Sequence, residues 1–391
     1  MSKSIMISRK LKKKLISSLQ TFPVVAVVGP RQSGKTTLVR NTFKDIEYRN
    51  LEAPDVRLFA ENDPRAFLEP AYKGNGLIID EAQKVPELFS YIQIVVDEHK
   101  EAKFVLTGSQ NFLMYEKISQ SLAGRIAILK LLPFSISELN KNQTFEKYSD
   151  YILHGFYPPI YDRNIPPVDW YQNYIQTYLE RDVRQLKNIS DLSAFTRFLK
   201  LCAGRTGQLL NITSLANDCG VAVNTAKSWL SILEASFVIH LLKPYHNNFN
   251  KRITKAPKLY FIDLGLVSSL LGLKDVSQVE QYHSIGSLFE NFVFGEMLKD
   301  HFNRGEIPML YYWRDKTGNE IDFIRETGNK TIIIEAKAGK TIHENFFSGF
   351  KLWNKVSNNK ADHSYLIYGG ESRQKRSIAT ILPWKDISLI R

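Results

Sequence analysis

Four apolar segments in the first third of the chain have the pattern of buried parallel strands. Valine, isoleucine, leucine and other apolar residues dominate residues 23–28, 76–79, 103–107 and 126–132. Strands of a parallel sheet are covered on both faces, so they are apolar throughout and do not alternate. The stretches between these segments are long enough for crossover helices. The pattern therefore predicts an α/β domain with a parallel sheet over residues 1–137.

A glycine-rich loop follows the first of these segments directly. It has the pattern G-x-x-x-x-G-K-[ST], in which glycines allow backbone N–H groups to close around a phosphate. Lys35 supplies a positive charge for the β- and γ-phosphates, and Thr36 supplies a hydroxyl ligand for Mg²⁺. We therefore expect ATP and Mg²⁺ to bind at a loop formed by Gly29, Pro30, Arg31, Gln32, Ser33, Gly34, Lys35, Thr36 and Thr37.

Two carboxylates and two hydroxyls end the next two apolar segments. Asp80 and Glu81 follow the second segment. In a P-loop fold this aspartate holds Mg²⁺ through water, and the glutamate orients and polarises the attacking water. Thr107 and Ser109 end the third segment and would lie beside the γ-phosphate, because ligands collect at the carboxyl ends of parallel strands. The alternative is that they cap the next helix.

Arg125 precedes the fourth apolar segment. An arginine here can stabilise the charge of the transferred phosphate as an arginine finger, either in its own subunit or in a neighbouring one. Action on a neighbouring subunit requires a homo-oligomer. A salt bridge at the surface explains the residue equally well, so both interpretations stay open.

Residues 138–205 have a helical pattern. Aromatic and aliphatic side chains recur at helical spacing between Asp169 and Gln185, and core packing explains this stripe. The family resemblance given below allows a second interpretation, in which Arg181 and Arg184 approach the nucleotide from a lid domain.

Residues 206–275 predict two helices joined by a glycine turn and followed by two strands, an order that resembles a winged helix. Polar residues lie early in the second helix, where base and phosphate contacts are usual: Asn224, Thr225, Lys227 and Ser228. Other polar and basic residues between the strands are suited to a DNA backbone: Asn247, Asn248, Lys251, Arg252 and Lys255. The alternative is a module that packs only against protein.

Residues 276–391 contain a second cluster of charged residues. A β-hairpin is predicted between the segment with Asp322 and the segment with Glu335 and Lys337. The period of two along a strand places Glu335 and Lys337 on one face, and the hairpin can bring Asp322 within reach of the same ion. Asp322 and Glu335 then offer oxygen ligands to Mg²⁺, and Lys337 can position or deprotonate a water that attacks a phosphodiester. Glu290, on a preceding helix, would complete the metal shell. The alternative is a sheet edge made soluble by charged residues.

The order of these motifs resembles AAA-type ATPases. More narrowly, it resembles a widespread bacterial and archaeal family of AAA-type ATP-binding proteins whose C-terminal part is similar to PD-(D/E)XK nucleases. The resemblance rests on residues 29–37, 77–83, 106–109, 122–125 and 178–183 and on the C-terminal cluster. The proline of the nuclease pattern is replaced here by Ile321. The resemblance implies a P-loop ATPase core, a lid, a winged helix and a nuclease-like α/β domain.

Charge and cysteine content refine this picture. The chain has 391 residues and a net charge of +12, which favours a polyanionic partner such as a nucleic acid or an anionic membrane surface. Cys202 and Cys219 cannot form a disulfide framework, and no apolar run is long enough to span a bilayer. We expect a cytoplasmic, Mg²⁺-dependent ATPase that acts on DNA. The alternatives are an ATP-switched regulator with an inert nuclease-like domain and a signalling ATPase that binds only proteins.

Overall fold

The computed structural model describes residues 7–108, 121–139, 143–179, 191–245, 256–315, 317–357 and 361–390. Contacts divide the chain into two compact units. The first unit comprises Met1–Phe134, Ala235–Phe237 and His301–Ile307. The second unit comprises Ser135–Glu234, Val238–Asp300 and Pro308–Arg391. The predicted boundaries of four domains, at 137, 205 and 275, stay predictions.

Helices and strands alternate in the first unit. Its helices are α1 (Lys12–Thr21), α2 (Lys35–Thr42), α3 (Pro54–Asn62), α4 (Pro64–Leu68), α5 (Pro70–Lys73) and α6 (Leu88–Glu98). Its strands are β1 (Val24–Val28), β2 (Glu47–Asn50), β3 (Leu77–Asp80), β4 (Phe104–Gly108) and β5 (Ile126–Lys130). A 3₁₀ turn, Ala82–Lys84, follows β3.

These strands form one parallel sheet in the order β2-β3-β4-β1-β5. Strands β1, β3 and β4 are buried along their whole length, as their apolar sequences require. Leu15 of α1 and Leu38 of α2 belong to the core that packs on the sheet. Because β4 lies between β1 and β3, the carboxyl ends of these three strands meet at one edge. The predicted parallel α/β fold is confirmed, and its sheet brings the predicted nucleotide residues to that edge.

The second unit contains mostly helices at first and a large sheet later. Its helices are α7 (Tyr148–His154), α8 (Pro158–Asp162), α9 (Pro167–Tyr174), α10 (Leu192–Ala203), α11 (Ile212–Cys219), α12 (Val223–Ala235), α13 (Leu264–Leu271), α14 (Val276–Glu280), α15 (Ile285–Asn303) and α16 (Ser348–Val356). The ends of α12 and α15 are assigned to the first unit. Its strands are β6 (Gln208–Leu209), β7 (Ile239–Leu242), β8 (Lys258–Phe261), β9 (Leu310–Arg314), β10 (Glu320–Thr327), β11 (Lys330–Lys337), β12 (His363–Tyr368), β13 (Gln374–Lys375) and β14 (Thr380–Pro383).

Shorter helical segments complete this unit: a π-helical turn, Ile175–Leu179, and 3₁₀ turns at Ile136–Glu138, Glu344–Phe347 and Trp384–Leu389. Across the described ranges of both units, no helix combines the length and the apolar character that crossing a membrane requires.

Three helices and a small antiparallel sheet form a module within the second unit. The order is α10, β6, α11, α12, β7 and β8, and the sheet order is β6-β8-β7. Gly220 ends α11 with φ of +73°, so the chain turns sharply into α12. Trp229 of α12 packs edge-to-face on Phe195 and Phe198 of α10, at 5.3 Å and 5.2 Å between ring centroids. The two helices, the glycine turn and the two strands follow the order that the sequence predicts, and their interpretation as a winged helix stays a prediction.

A six-stranded mixed sheet follows, in the order β13-β14-β12-β11-β10-β9. Strands β10 and β11 form the antiparallel hairpin that the sequence predicts. Phe350 and Trp353 of α16 pack against Ile321 and Ile333 of this hairpin. The small sheet is close by in the same unit, because the backbone N–H of Tyr245 donates to the carbonyl of Tyr312 in β9 at 2.7 Å.

Candidate nucleotide site and carboxylate cluster

The phosphate loop joins β1 to α2. No side chain fits at Gly29, because a Cβ atom there would lie 2.1 Å from the carbonyl oxygen of Leu131. Gly34 precedes α2 with φ of +91°, a conformation that favours glycine. The buried hydroxyl of Ser33 has no hydrogen-bond partner within the described part of the chain. A buried polar group of this kind usually has a hydrogen-bond partner, so the hydroxyl of Ser33 is evidence that a ligand binds in the loop.

Lys35 is buried at the start of α2. Its ammonium donates to the carbonyl oxygens of Gly29 at 2.9 Å and Pro30 at 2.8 Å. Burial lowers the pKa of Lys35 to about 8, although the carboxylates of Glu81 and Asp80 oppose the shift. A buried ammonium has lost its hydrating water, so a nearby anion stabilises its charge strongly. This property suits the role predicted for Lys35 at the phosphates.

Arg9 supports the loop from a second direction. Its guanidinium donates to the carbonyl oxygens of Ser33 at 2.7 Å and Leu132 at 2.6 Å, and it lies over the ring of Phe134 at 4.8 Å. Its sequence context, a run of basic residues, indicates a solvated helix face instead. The structure buries Arg9 because loop carbonyls provide the acceptors that a guanidinium needs.

Asp80 accepts hydrogen bonds from three hydroxyl groups. Thr36 Oγ1 and the Tyr48 hydroxyl lie 2.9 Å and 2.6 Å from its Oδ2 atom. Thr107 donates to its Oδ1 atom. The structure thus brings the predicted Mg²⁺ ligands Thr36 and Asp80 together with Thr107. Sequence reasoning missed Tyr48, because no motif marks this position in the edge strand β2.

Glu81 has a left-handed backbone conformation, with φ of +55°. Such a conformation costs a residue with a side chain of order 1–3 kcal/mol and is concentrated at functional sites. Gln83 Nε2 donates to Glu81 Oε2 at 2.5 Å, and the N–H of Glu81 points to Thr107 Oγ1 at 3.4 Å. The strained turn therefore directs this carboxylate to the edge where the loop and Asp80 lie.

The remaining predicted loop residues take varied positions. Gln32 has φ of +61°. Arg31 is partly exposed, and a nitrogen of its guanidinium lies 3.8 Å from a carboxylate oxygen of Glu52. Thr37 lines a cavity of about 450 Å³ together with Tyr48.

Arg125 does not lie at the nucleotide loop of its own chain. Strand β5 runs parallel to β1, and Val24 pairs with Ile126, so Arg125 is at the amino end of the strand. The loop follows the other end, about 15 Å away along the strand. The guanidinium makes hydrogen bonds of 2.7 Å and 2.9 Å to Asp97. A finger role within its own subunit does not fit this position, and a role in a neighbouring subunit stays a prediction.

Some predicted residues fall outside the described ranges: Ser109, Arg181, Arg184, Asn247, Asn248, Lys251, Arg252 and Lys255. In α12, Asn224 and Lys227 are exposed, while Thr225 and Ser228 are half-buried. Trp229 anchors the opposite side of this helix in the core. The arrangement leaves a polar face of α12 open to a partner.

In the C-terminal sheet, Asp322, Glu335 and Lys337 converge. The Lys337 ammonium lies 2.9 Å from Asp322 Oδ2 and 2.7 Å from Glu335 Oε2. The N–H of Ala336 donates to Asp322 Oδ2 at 2.8 Å. Both carboxylates are almost completely buried. The hairpin has therefore placed the predicted triad on one face, as the period of two requires.

The surroundings shift the pKa values of the two carboxylates in opposite directions. Burial opposes ionisation of Asp322, but Lys337 and Lys258 outweigh it and lower the pKa of Asp322 below its usual value. Burial and the nearby Asp322 charge raise the pKa of Glu335 well above its usual value. Glu335 Oε1 is buried without a hydrogen-bond partner among the described residues, and a Cβ atom at Gly349 would lie 2.1 Å from it. This orphaned oxygen is available to a cation.

Glu290 also has a lysine neighbour that the sequence analysis did not predict. The ammonium of Lys258 in β8 lies 2.8 Å from Glu290 Oε1 and also contacts Glu320. Tyr260, two positions along the strand, donates to Glu290 as well. Burial raises the pKa of Glu290 to about 7, although Lys258 opposes the shift. Sequence reasoning missed Lys258; the only signal was the period of two that puts Lys258 and Tyr260 on one strand face.

The carboxylate oxygens form a compact group. One oxygen each from Glu290, Glu320 and Asp322 lie within 4.8 Å of one another. Oxygen donors at this spacing suit a hard divalent cation such as Mg²⁺. The Lys258 ammonium contacts two of these three residues, Glu290 and Glu320, so Asp322 and Glu335 remain as candidate ligands for the divalent ion that the sequence predicts here.

Three family models match separate parts of this chain. An AAA domain matches residues 21–140. Two domains of unknown function, DUF8612 and DUF4143, match residues 145–277 and 285–387.

Two relatives match most of this chain. An uncharacterized protein of Mycobacterium tuberculosis is 32% identical over 337 residues, covering 84% of this chain and 73% of the relative. This chain belongs to the same family of AAA-type ATPases. An uncharacterized protein of Haemophilus influenzae is 22% identical over 368 residues, covering 86% of this chain and 87% of that protein. The predicted AAA-type ATPase is therefore confirmed, and the family's C-terminal domain has no assigned function.

Solved structures show more distant similarity. The Walker-type ATPase PABY2304 of Pyrococcus abyssi is 16% identical, with a TM-score of 0.49 over 67% of this chain and 94% of that chain. The RuvB Holliday junction branch migration motor of Thermotoga maritima is 18% identical, with a TM-score of 0.32 over 60% of this chain and 90% of that chain. Similarity at this level supports no inference about activity.

Proposed function

We propose that this ATPase requires Mg²⁺ and acts on DNA, which it binds through α12 and hydrolyses at Asp322, Glu335 and Lys337. The observation that carries the proposal is the convergence of these three side chains on one sheet face, with Lys337 within 2.9 Å of both carboxylates. Two buried carboxylates and an ammonium at such spacing are the groups that phosphodiester hydrolysis needs.

The nucleotide site uses the residues at the carboxyl edge of the parallel sheet. Lys35 and the loop N–H groups bind the phosphates, and Thr36 and Asp80 would hold Mg²⁺. The ion, when bound, neutralises charge that develops on the γ-phosphate. Glu81 orients the attacking water, and its strained backbone holds the carboxylate at this edge. Gln83, bonded to Glu81 in this structure, helps to set its orientation.

DNA binding rests on α12 and on charge. Asn224 and Lys227 are exposed on a helix whose other face Trp229 fixes in the core. A recognition helix needs this combination of a rigid inner face and a polar outer face. The net charge of +12 favours association with a polyanion.

The roles within the C-terminal triad follow from charge. Asp322 and Glu335 would hold the divalent ion, which supplies a polarised water and neutralises the phosphate. The two carboxylates more than offset the effect of burial and raise the pKa of Lys337 above its usual value. Lys337 therefore stays an ammonium at neutral pH. In this position it orients water and stabilises negative charge rather than accepting a proton.

The experiment is cleavage of a supercoiled plasmid and of single-stranded oligonucleotides with Mg²⁺ or Mn²⁺. Asp322→Asn and Lys337→Met should each lower cleavage at least about 100-fold, because each removes a group worth several kcal/mol of charge stabilisation. ATP hydrolysis should not change, because the two sites lie in different units.

The matched control is Lys355→Met, which removes an exposed lysine of α16 and should leave cleavage unchanged. Equal cleavage by wild type and Asp322→Asn would show a contaminating nuclease. Absence of cleavage under every condition would contradict the proposed nuclease activity.

A further inference from the structure

The deepest cation of the C-terminal cluster comes from outside the predicted triad. Lys258 has only 2% of its side chain exposed, although it lies in a short strand of the small sheet. Its ammonium contacts Glu290 of α15 and Glu320 of β10, and it lies 5.6 Å from the centre of the Tyr312 ring. One lysine thus joins carboxylates from two separate elements.

The position of this ammonium coincides with the compact group of carboxylate oxygens. Oxygens of Glu290, Glu320 and Asp322 lie within 4.8 Å of one another, and the Lys258 ammonium contacts two of these residues. The charge of Lys258 also acts on the third, Asp322. The lysine therefore stands where a cation bound by these three carboxylates would stand.

The charge balance limits further cations. Among the residues that the structure describes, the carboxylates are Glu290, Glu320, Asp322 and Glu335, and the cationic side chains that contact them are Lys258, Lys337 and Arg314. With all groups ionised, four negative and three positive charges leave a net charge of −1. One divalent ion changes this to +1, and a second would change it to +3. A second ion is therefore strongly disfavoured in a buried site.

We infer that Lys258 is a tethered cation that fills the second cation position of this cluster, so that one divalent ion binds there, through Asp322 and Glu335. The inference rests on the proposed function for the existence of that one ion. It gives Glu290 and Glu320 a role different from the predicted one: they hold Lys258 and do not ligate the ion. The small sheet thereby contributes a residue to the C-terminal site.

Burial of a lysine explains why this arrangement is more than a surface ion pair. Burial alone would lower the pKa of Lys258, but Glu290 and Glu320 outweigh it and raise the pKa above its usual value. A buried ammonium is costly unless its carboxylates are well placed, and removing it alone leaves those carboxylates without their counter-charge. Replacement of Lys258 should therefore leave Glu290 and Glu320 able to bind another cation.

The experiment counts Mn²⁺ bound to the full-length protein without nucleotide, by electron paramagnetic resonance of the free ion. The C-terminal contribution is the difference from Asp322→Asn, which also removes any Mn²⁺ bound elsewhere from the count. Wild type should bind one ion at the cluster. Lys258→Met should bind two, because Glu290 and Glu320 lose their counter-charge. Lys258→Arg, which keeps the charge, should bind one.

Two further variants test the inference if Lys258→Met does not fold. Glu290→Gln and Glu320→Gln should each still bind one Mn²⁺, with an affinity lowered by the loss of one negative charge, because neither residue is a ligand, whereas Glu335→Gln should bind none at the cluster. Loss of the bound ion in Glu290→Gln, or one ion in folded Lys258→Met, would overturn the inference.

The proposed function fails in a distinguishable way. If wild type and Asp322→Asn bind equal amounts of Mn²⁺ while Lys258→Met binds one more, Lys258 does fill a cation position but the wild-type cluster holds no ion. If Lys258→Met gains none either, the inference and the metal-dependent function both fail.

Discussion

Removal of one hydroxyl group, by Tyr48→Phe, should weaken the Mg²⁺ dependence of ATP hydrolysis. Tyr48 donates to Asp80 Oδ2 at 2.6 Å, a short hydrogen bond to a charged acceptor. Burial and this hydrogen bond raise the pKa of Tyr48 above its usual value, so the hydroxyl keeps its proton and remains a donor. The change leaves the ring in β2 and removes only the contact to Asp80.

The size of the effect follows from the three donors at Asp80. A hydrogen bond to a charged group contributes about 1.5–3 kcal/mol. Thr36 and Thr107 still donate after the change, and Tyr48 is only partly buried, so the lower end of this energy range applies. A loss of about 1.4 kcal/mol corresponds to a tenfold change in an equilibrium constant or a rate. Thr36 would donate less to Asp80 if its hydroxyl oxygen ligated a bound Mg²⁺, and Asp80 would then depend on Tyr48 and Thr107 for its orientation.

The assay is the steady-state ATPase rate at saturating ATP over a range of Mg²⁺ concentrations. Tyr48→Phe should raise the Mg²⁺ concentration for half-maximal rate about tenfold. The matched control is Tyr72→Phe, which keeps its ring stacked on His99 at 3.9 Å in the same unit and should behave as wild type. A Mg²⁺ dependence within twofold of wild type, in a folded Tyr48→Phe protein, would refute the role assigned to Tyr48.

Four further predictions concern other charged groups. Glu81→Gln should keep ATP affinity but lower turnover at least about 100-fold, because the water loses its orienting carboxylate; a wild-type rate would contradict this role. Lys35 has a pKa of about 8. Raising the pH from 7 to 9 should therefore weaken ATP binding, measured by calorimetry, by up to about tenfold, because the ammonium loses its proton. Lys35→Arg should show no such loss of affinity. Lys227→Ala should weaken DNA binding and reduce the salt slope by about 1, measured by fluorescence anisotropy, and an unchanged slope would remove Lys227 from the interface. Arg125→Ala mixed with Lys35→Ala should recover part of the ATPase rate if Arg125 acts on a neighbouring subunit; no recovery, with a monomer in light scattering, would exclude this.

Local sequence patterns were sufficient to predict the position of the phosphate loop and of Asp80. The glycine positions 29 and 34 are dictated by close backbone approach and by a left-handed turn, and both are visible as a short motif. Asp80 follows a run of apolar residues whose burial in a parallel sheet determines where the strand ends. The C-terminal triad was also accessible, because a strand period of two and one hairpin turn bring Asp322 and Glu335 together.

Contacts between distant elements were not accessible in this way. Tyr48, Arg9 and Lys258 lie in segments where no sequence motif marks a functional site. Their partners are 32, 24 and 32 positions away, and only the packed structure brings them together. Arg125 shows the converse: a motif suggested a nucleotide contact, but strand direction places the residue at the opposite end of β5.

The most direct test of the proposed function is the ATP dependence of DNA cleavage. Supercoiled plasmid and single-stranded oligonucleotides are incubated with Mg²⁺ or Mn²⁺, with and without ATP, and strand breaks are counted on a denaturing gel. Wild type should cut, ATP should change the rate, and Lys35→Ala should cut at a rate that does not respond to ATP. A preparation that hydrolyses ATP but leaves every substrate intact, with either ion, would contradict the account.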